Sequence, residues 1–210
     1  YAGDVIVVSG NTYSAAAKTN RTDVLSVDLG DGSVKEALLY VSYNFDKAAD
    51  GDFNSWNTTF NGQLIAPISS YRDQSNLGNY GNRGYGLVVY NVADFVVDGD
   101  NVFALEKPSG NAAVYPTSLI VLVDDPASST INTVYIVEEA DLLAKTNNKN
   151  LDAIYSTAFE TIDGDATLFV FAAGAQTGEG DLVINGDVAS NVWSGTSESF
   201  DMYETSVDAG

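Results

Sequence analysis

The chain of 210 residues carries 29 acidic and 9 basic side chains, for a formal net charge of −20, and it contains neither Cys nor His. This charge repels phosphate backbones and anionic lipid headgroups, which argues against nucleic acid and membrane surfaces as partners. Without Cys and His, the Ser-His-Asp and Cys-His nucleophiles, imidazole bases and conventional zinc sites are excluded. No apolar run reaches the roughly 20 residues that span a bilayer.

The first predicted strand is a run of four apolar residues, Val5, Ile6, Val7 and Val8, which suits a strand buried on both faces. Because the chain begins with Tyr1 and not Met, we interpret it as a mature product whose secretion signal has been removed. The alternative is a chain that was trimmed in some other way. An extracellular chain of this composition would not depend on disulfides. Residues 24–29 then alternate in polarity and turn at residues 30–32, which predicts a hairpin.

Two segments of the chain resemble each other. Each has a β-branched and aromatic run, a variable loop and a second run that is closed by Asn-Gly, a dipeptide that supplies the positive φ angles of a tight turn. The first copy begins at Ala37 and closes at Asn61, and the second begins at Ala166 and closes at Asn185. The repeat predicts two related β units.

The loop inside the first copy, residues 44–57, contains Asp46, Asp50 and Asp52. Several carboxylates in one loop are a pattern that calcium can use, although the spacing is not that of an EF-hand. The alternative is a solvated surface loop. Calcium is the one cofactor that the sequence leaves open.

Residues 71–86 form a glycine-spaced loop that is rich in contact-making side chains: Tyr71, Arg72, Tyr80, Arg83 and Tyr85. The aromatic faces could stack on sugar rings, or the arginines could meet carboxylates of a neighbouring acidic subunit. The alternative is an ordered crossover that packs on its own sheet.

The best domain boundary lies at residues 124–129, where Pro126 stands in a small, polar segment. We therefore predict an all-β protein of two related, jelly-roll-like β-sandwich lobes, residues 1–125 and 126–210. One short helix is predicted at residues 138–145, because acids begin this segment and Lys145 ends it.

No catalytic residue is predicted. The acid pairs Asp124/Asp125 and Glu138/Glu139 are adjacent in sequence, and adjacent residues of a strand point to opposite faces, which is wrong for two acids that flank one glycosidic bond. Asn20 and Asn57 each fit the N-glycosylation acceptor pattern, which is consistent with a secreted protein.

Five short motifs carry a resemblance to a known family: Tyr1-Ala2-Gly3-Asp4, Ala37-x-Leu39-Tyr40-Val41, Phe60-Asn61-Gly62, Tyr90-Asn91-Val92-Ala93-Asp94-Phe95 and Glu139-Ala140-Asp141-Leu142-Leu143. Together they resemble an uncharacterised β-rich domain family of secreted surface proteins of methanogenic archaea. The resemblance implies an extracellular protein of the cell envelope, of the kind that builds sheaths, surface layers or filaments.

The expected function is therefore a secreted structural subunit that assembles with copies of itself. The alternative is a carbohydrate-binding or adhesive module of the cell surface, by analogy with other β-sandwiches. Only 24 residues follow Gly186, so the second lobe is expected to be short of strands. The strand at Val5–Val8, or an edge of the next subunit, could complete it by β-augmentation, or that strand could fold back within its own chain.

Overall fold

The structure is a computed structural model, and it describes residues 2–46, 52–73, 84–110, 112–143, 152–154 and 165–208. The chain divides into two compact units, Tyr1–Ala153 and Ile154–Gly210. Within the described residues the secondary structure is fourteen strands and two short 3-10 turns, Asp52–Ser55 and Ala93–Phe95. The prediction of an all-β fold is confirmed.

Ten strands belong to the first unit: β1 (Gly3–Ser9), β2 (Asn20–Val27), β3 (Ser33–Asp46), β4 (Asn57–Phe60), β5 (Gln63–Leu64), β6 (Pro67–Asp73), β7 (Gly84–Asn91), β8 (Gly99–Glu106), β9 (Ala113–Val114) and β10 (Ser118–Asp124). Four belong to the second: β11 (Asp165–Ala173), β12 (Asp181–Ile184), β13 (Asp187–Ser190) and β14 (Phe200–Asp208).

The first unit is a jelly roll. One sheet has the order β1-β10-β3-β7-β6, with β9 beside β3, and the other has the order β2-β8-β4-β5. The antiparallel pairs are nested in the sequence. The pair β4 and β5 lies between β3 and β7, which are themselves paired. These four strands lie between the paired strands β2 and β8, and all six lie between β1 and β10. A long hairpin rolled up in this way is the jelly-roll arrangement of two Greek keys.

The core of the first unit lies between its two sheets. Side chains of β3 and β10 such as Leu39 and Leu119 meet Leu25, Phe60 and Phe103 from the other sheet, and all five are at most 1% exposed. Along β2 the exposed and buried residues alternate strictly, as expected for a strand with one face in water and one in a core. The two sheets therefore form a sandwich.

A segment without regular strands or helices, residues 130–143, crosses the outer surface of the larger sheet and is called the crossing segment below. It begins beside β1, where the Gly3 amide donates to the Thr130 carbonyl, and it ends beside β6, where the Leu142 amide donates to Asp73. Under it the outward-facing Leu38 and Tyr40 of β3 are only 8% and 7% exposed. The sheet is thus covered on both faces.

The predicted helix at residues 138–145 is wrong for the part that the structure describes. Residues 138–143 have no regular secondary structure and contain no helical turn. The Glu138 carboxylate accepts hydrogen bonds from the sheet beneath it, and the Leu142 amide is held by the Asp73 side chain. An isolated helix of eight residues is marginal in water, so these contacts outweigh the local preference.

The division between the two units lies after Ala153, later than the position predicted at residues 125/126. The crossing segment explains the difference, because it follows Pro126 in the chain yet hydrogen-bonds to β1, β3 and β6 of the first unit. The polar segment at residues 124–129 marks the end of β10 and a turn, and the chain then returns over the same sheet.

The described strands of the second unit form two separate antiparallel ladders, β11 with β14 and β12 with β13. They correspond to β3 with β7 and β4 with β5 of the first unit. The hairpin turns match as well, with positive φ at Asn61 (49°) and Gly62 (77°) in one and at Asn185 (51°) and Gly186 (95°) in the other. The second unit thus repeats the inner half of the jelly roll.

Candidate functional site

A group of hydroxyls surrounds the Glu138 carboxylate on the covered surface of the larger sheet. Tyr40 of β3 donates a hydrogen bond to Oε1 at 2.9 Å, and Tyr71 of β6 donates one to Oε2 at 2.6 Å. Ser69 donates a third, of 3.4 Å, to Oε2. We call these four residues the Glu138 cluster, and it joins the crossing segment to two strands that are not neighbours in the sheet.

The cluster keeps both tyrosines protonated. Burial, followed by the hydrogen bond to Glu138, raises the pKa of Tyr40 far above its ordinary value of 10. For Tyr71 the hydrogen bond to Glu138 is the main cause of a raised pKa. Both hydroxyls therefore act as donors to a carboxylate and not as bases.

A polar groove of about 420 Å³ lies next to the cluster. One wall is the end of β6, residues 70–73, and the other is residues 139–141 of the crossing segment. The wall residues include Arg72, Asp73, Glu139 and Asp141. Carboxylates and a guanidinium in an open groove can hydrogen-bond to a hydroxyl-rich ligand such as a sugar. The sequence had suggested a different contact for this loop, the stacking of its aromatic faces on sugar rings.

The stability of the first unit is expected to fall at alkaline pH because of Tyr40. The folded state keeps this tyrosine neutral, whereas the unfolded chain ionises it above about pH 10. The unfolded state therefore binds fewer protons than the folded state at high pH. The free energy of unfolding then falls by up to about 1.4 kcal/mol per pH unit. Urea unfolding between pH 8 and 11 should show a shallower decline for Tyr40→Phe. Tyr135→Phe, on an exposed side chain, is the control, and equal slopes for Tyr40→Phe and the wild type would contradict the assignment.

The structure places the predicted loop residues in different surroundings. Tyr71 belongs to the Glu138 cluster, and the Tyr85 ring lies 6.0 Å from that of Phe45. Arg72 forms an ion pair of 3.3 Å with Asp46 of its own chain, and its side chain is 17% exposed. Its charge is thus matched within the chain, which agrees with the alternative that this loop packs on its own sheet. A contact between Arg72 and a neighbouring subunit stays a prediction. Tyr80 and Arg83 lie outside the described residues.

The calcium candidates are not brought together by the described residues. Asp46 is fully buried at the end of β3, where it pairs with Arg72, and Asp52 begins a 3-10 turn. Asp50 lies outside the described residues. Among the residues that the structure describes, no three acidic side chains are grouped so as to hold a metal ion. A calcium ion in this loop stays a prediction.

The two predicted glycosylation sites lie close together. Asn20 begins β2 and Asn57 begins β4, and both are paired with Glu106 of the strand between them. Their side chains are exposed on the same outer face. Two strand spacings separate them, which is about 10 Å.

The N-terminal strand lies within its own sheet. β1 pairs with β10 from Gly3 to Ser9, with Val5 opposite Leu122 and Val8 opposite Leu119. This is the arrangement in which the strand folds back, one of the two that the sequence left open. β1 is an edge strand, and within the part of the chain that the structure describes, no strand pairs with its outer side beyond the bridge between Ala2 and Ile131.

Sequence reasoning missed a buried ion pair between Arg21 and Asp23. The Arg21 guanidinium donates to the Asp23 carboxylate and to the Tyr115 carbonyl, and the carboxylate also accepts from the amide and hydroxyl of Thr117 and from the Thr12 amide. Arg21 and Asp23 lie on the same face of β2 as the buried apolar residues Leu25 and Val27, because every second residue of a strand faces the same side. This alternation could have predicted the ion pair from the sequence, because charged side chains on the core-facing side of a strand need partners.

Comparisons with known proteins place the chain in a family. The family described as "Protein of unknown function (DUF3344)" matches residues 1–209. The chain belongs to the DUF3344 family. No curated protein matches this DUF3344 chain.

A solved structure, the crystal structure of native alfa-L-rhamnosidase from Aspergillus terreus, is similar to this DUF3344 protein over 57% of this chain and 14% of that chain, at 14% identity and a TM-score of 0.30. So weak a likeness carries no conclusion about activity. In the described part of the chain, no helix is long and apolar enough to cross a membrane.

Proposed function

We propose that this DUF3344 protein is a secreted, non-catalytic structural subunit whose copies assemble into a polymer of the archaeal cell envelope, such as a sheath, surface layer or filament. The secreted and archaeal setting rests on the resemblance described from the sequence. The exposed positions of Asn20 and Asn57 support that setting, because glycan acceptors have to be accessible. The partners are copies of the same chain.

The observation that carries the proposal is the edge strand β1. Its four β-branched residues Val5, Ile6, Val7 and Val8 lie at the border of the larger sheet. Beyond Gly3, no described strand pairs with its outer side. A strand edge with free amides and carbonyls is a template for strand addition, and soluble monomers usually protect such edges with charges or prolines.

Carbohydrate binding at the cell surface is the second candidate function. It is favoured by the polar groove between the end of β6 and residues 139–141, where Tyr71 adds an aromatic ring to carboxylates. Aromatic faces and carboxylates together are a common way to hold sugars. A monomeric protein that is retained on a polysaccharide column would support this function over assembly.

Electron microscopy of the purified full chain tests assembly directly. Ordered tubes, sheets or filaments are expected as the protein concentration rises, and Val7→Lys should reduce them at least about tenfold, because a charge on an edge strand opposes edge-to-edge pairing. Val7 lies on the face of β1 opposite the core-facing Ile6 and Val8, so the subunit itself should remain folded.

The matched control is Val102→Lys. Val102 is 38% exposed on β8, which has ladder partners on both sides, so a lysine there adds the same charge without touching a free edge. A wild-type chain that stays monomeric at every concentration would overturn the proposal. Equal assembly of wild type and Val7→Lys would remove β1 as the contact.

A further inference from the structure

Eight of the ten strands of the first unit form two halves with the same strand pairing. One half is β3 paired with β7 in one sheet and β4 paired with β5 in the other. The other half is β10 paired with β1 and β8 paired with β2. β6 and β9 belong to neither half. The halves meet where β3 pairs with β10 and where β4 pairs with β8. Both of these seams are antiparallel, so a pseudo-twofold axis perpendicular to the sheets relates the halves.

The described part of the second unit contains only one such half. β11 and β14 correspond to β3 and β7, and β12 and β13 correspond to β4 and β5. In the first unit β3 pairs with β10 on its second side and β4 with β8. No described strand takes these places beside β11 or β12.

The core-facing side of this half is accordingly accessible. In the first unit Ala37, Leu39 and Val41 of β3 are 0% exposed, whereas their counterparts on β11 are not buried. The counterparts are Ala166, Leu168 and Val170, of which the first is exposed and the other two are half-buried. On β12, Ile184 is half-buried where Phe60 is 0% exposed, and no residue among 166–207 is fully buried.

We propose that the second units of two copies of this chain complete each other as one jelly roll, with β11 pairing antiparallel with its own copy and β12 with its own copy across a twofold axis. The twofold arrangement reproduces the two antiparallel seams of the first unit and buries the side chains that stand for its core. The inference rests on the proposed self-assembly and gives it a specific interface.

The size of the open side is consistent with a stable dimer. β11 has nine residues, which at about 3.4 Å per residue extend over about 30 Å. Two sheets about 10 Å apart with their side chains make the open side roughly 20 Å wide. The product, roughly 600 Å², is an upper bound because β12 has only four residues. It lies at the low end of specific interfaces, to which each partner contributes ~600–1,000 Å².

Charge makes this dimer depend on salt. Residues 154–210 contain ten acidic side chains and no Lys or Arg, so two second units repel each other. The repulsion is screened as the Debye length falls from about 10 Å at 0.1 M salt to about 3 Å at 1 M. The dimer is therefore expected to tighten as ionic strength rises, the opposite of an association that depends on ion pairs.

Sedimentation of the full chain at about 0.05 M and about 1 M NaCl tests the proposal, with a shift expected from the 22.2 kDa monomer to a dimer at high salt. Ile184→Lys places a charge on the core-facing side of β12 and should weaken the dimer at least about 100-fold. Val183→Lys is the matched control, because Val183 is the preceding residue, points the other way and is 60% exposed. A wild-type monomer at both salt concentrations, or equal weakening by the two variants, would overturn the proposal.

The absence of Cys from the sequence allows a second test that does not depend on a disruptive variant. Cysteines introduced singly along the outward side of β11, by Thr167→Cys, Phe169→Cys and Phe171→Cys, should give at least one variant that crosslinks to its own copy, because paired antiparallel strands bring Cα atoms within disulfide range. Ser206→Cys on β14 should not crosslink. Crosslinking at Ser206 alone would contradict the proposed seam.

The proposal of a dimer and the proposal of a polymer can be refuted separately. If Val7→Lys abolishes the polymer while the salt-dependent dimer persists, both proposals hold, because each uses a different surface. If ordered polymers form but no dimer appears at high salt, or if Ile184→Lys and Val183→Lys weaken the dimer equally, the proposed function stands and the seam at β11 and β12 is wrong.

Discussion

Replacement of Asp23 by Asn is expected to lower the free energy of unfolding of the first unit by about 3–5 kcal/mol. The Asp23 side chain is buried, and its carboxylate accepts hydrogen bonds from Arg21, Thr117 and Thr12. Asparagine keeps the shape of the side chain and removes its charge. Arg21, which is 5% exposed, would then be a buried cation without a counterion.

The measurement has to separate the two units, since a chain of two units need not unfold in one step. The sequence has two tryptophans, Trp56 in the first unit and Trp193 in the second, so a Trp193→Phe background leaves a reporter of the first unit alone. Urea unfolding followed by Trp56 fluorescence then gives the loss. Asp94→Asn, on an exposed aspartate, is the control, and a loss below about 1 kcal/mol for Asp23→Asn would show that Arg21 finds another partner.

The Asp23 carboxylate also makes the stability of the first unit depend on pH in the acidic range. Burial alone would raise the pKa of Asp23, but the attraction of Arg21 and the hydrogen bonds from Thr117 and Thr12 outweigh it and lower the pKa. The unfolded chain therefore takes up this proton at a higher pH than the folded chain does. The contribution of Asp23 is fully present above its ordinary value of 3.8 and is lost as pH falls below it, and Asp23→Asn should remove that part of the decline.

The fold was largely predictable because its signals are local. Strict alternation along β2 and the Asn-Gly pairs at Asn61 and Asn185 depend on residues next to one another in the sequence. The crossing segment could not be predicted in this way. Its path is determined by a carboxylate that meets Tyr40, 98 residues away, and Tyr71, 67 residues away. A local pattern of acids followed by lysine therefore suggested a helix.

The candidate surfaces show the same limit. Composition identified residues 71–86 as contact-making, and the structure places Tyr71 and Arg72 at the polar groove. The sequence could not show that Arg72 is paired with Asp46, because the two residues lie on different strands and meet only through the register of β3 and β7 with β6. Likewise, the run from Val5 to Val8 predicted a strand, whereas its partner β10 lies more than a hundred residues away.

Replacement of Phe103 by Ala is expected to cost the first unit about 3–5 kcal/mol. Phe103 is 0% exposed in the core cluster, and its ring lies 5.6 Å from the guanidinium carbon of Arg21. Alanine removes the ring, leaves a cavity between the sheets and takes away the aromatic face beside a buried cation. Urea unfolding in the Trp193→Phe background measures the loss.

Val102→Ala provides the matched control, because Val102 precedes Phe103 on β8 and lies on the opposite, outer face. Its loss should stay below about 1 kcal/mol, and a similar cost for the two variants would mean that Phe103 is not a core residue. β8 pairs with β2 in one half of the jelly roll and with β4 in the other. The cavity at Phe103 therefore weakens a seam between the halves, and since Trp56 lies just ahead of β4, its fluorescence reports on the half across that seam.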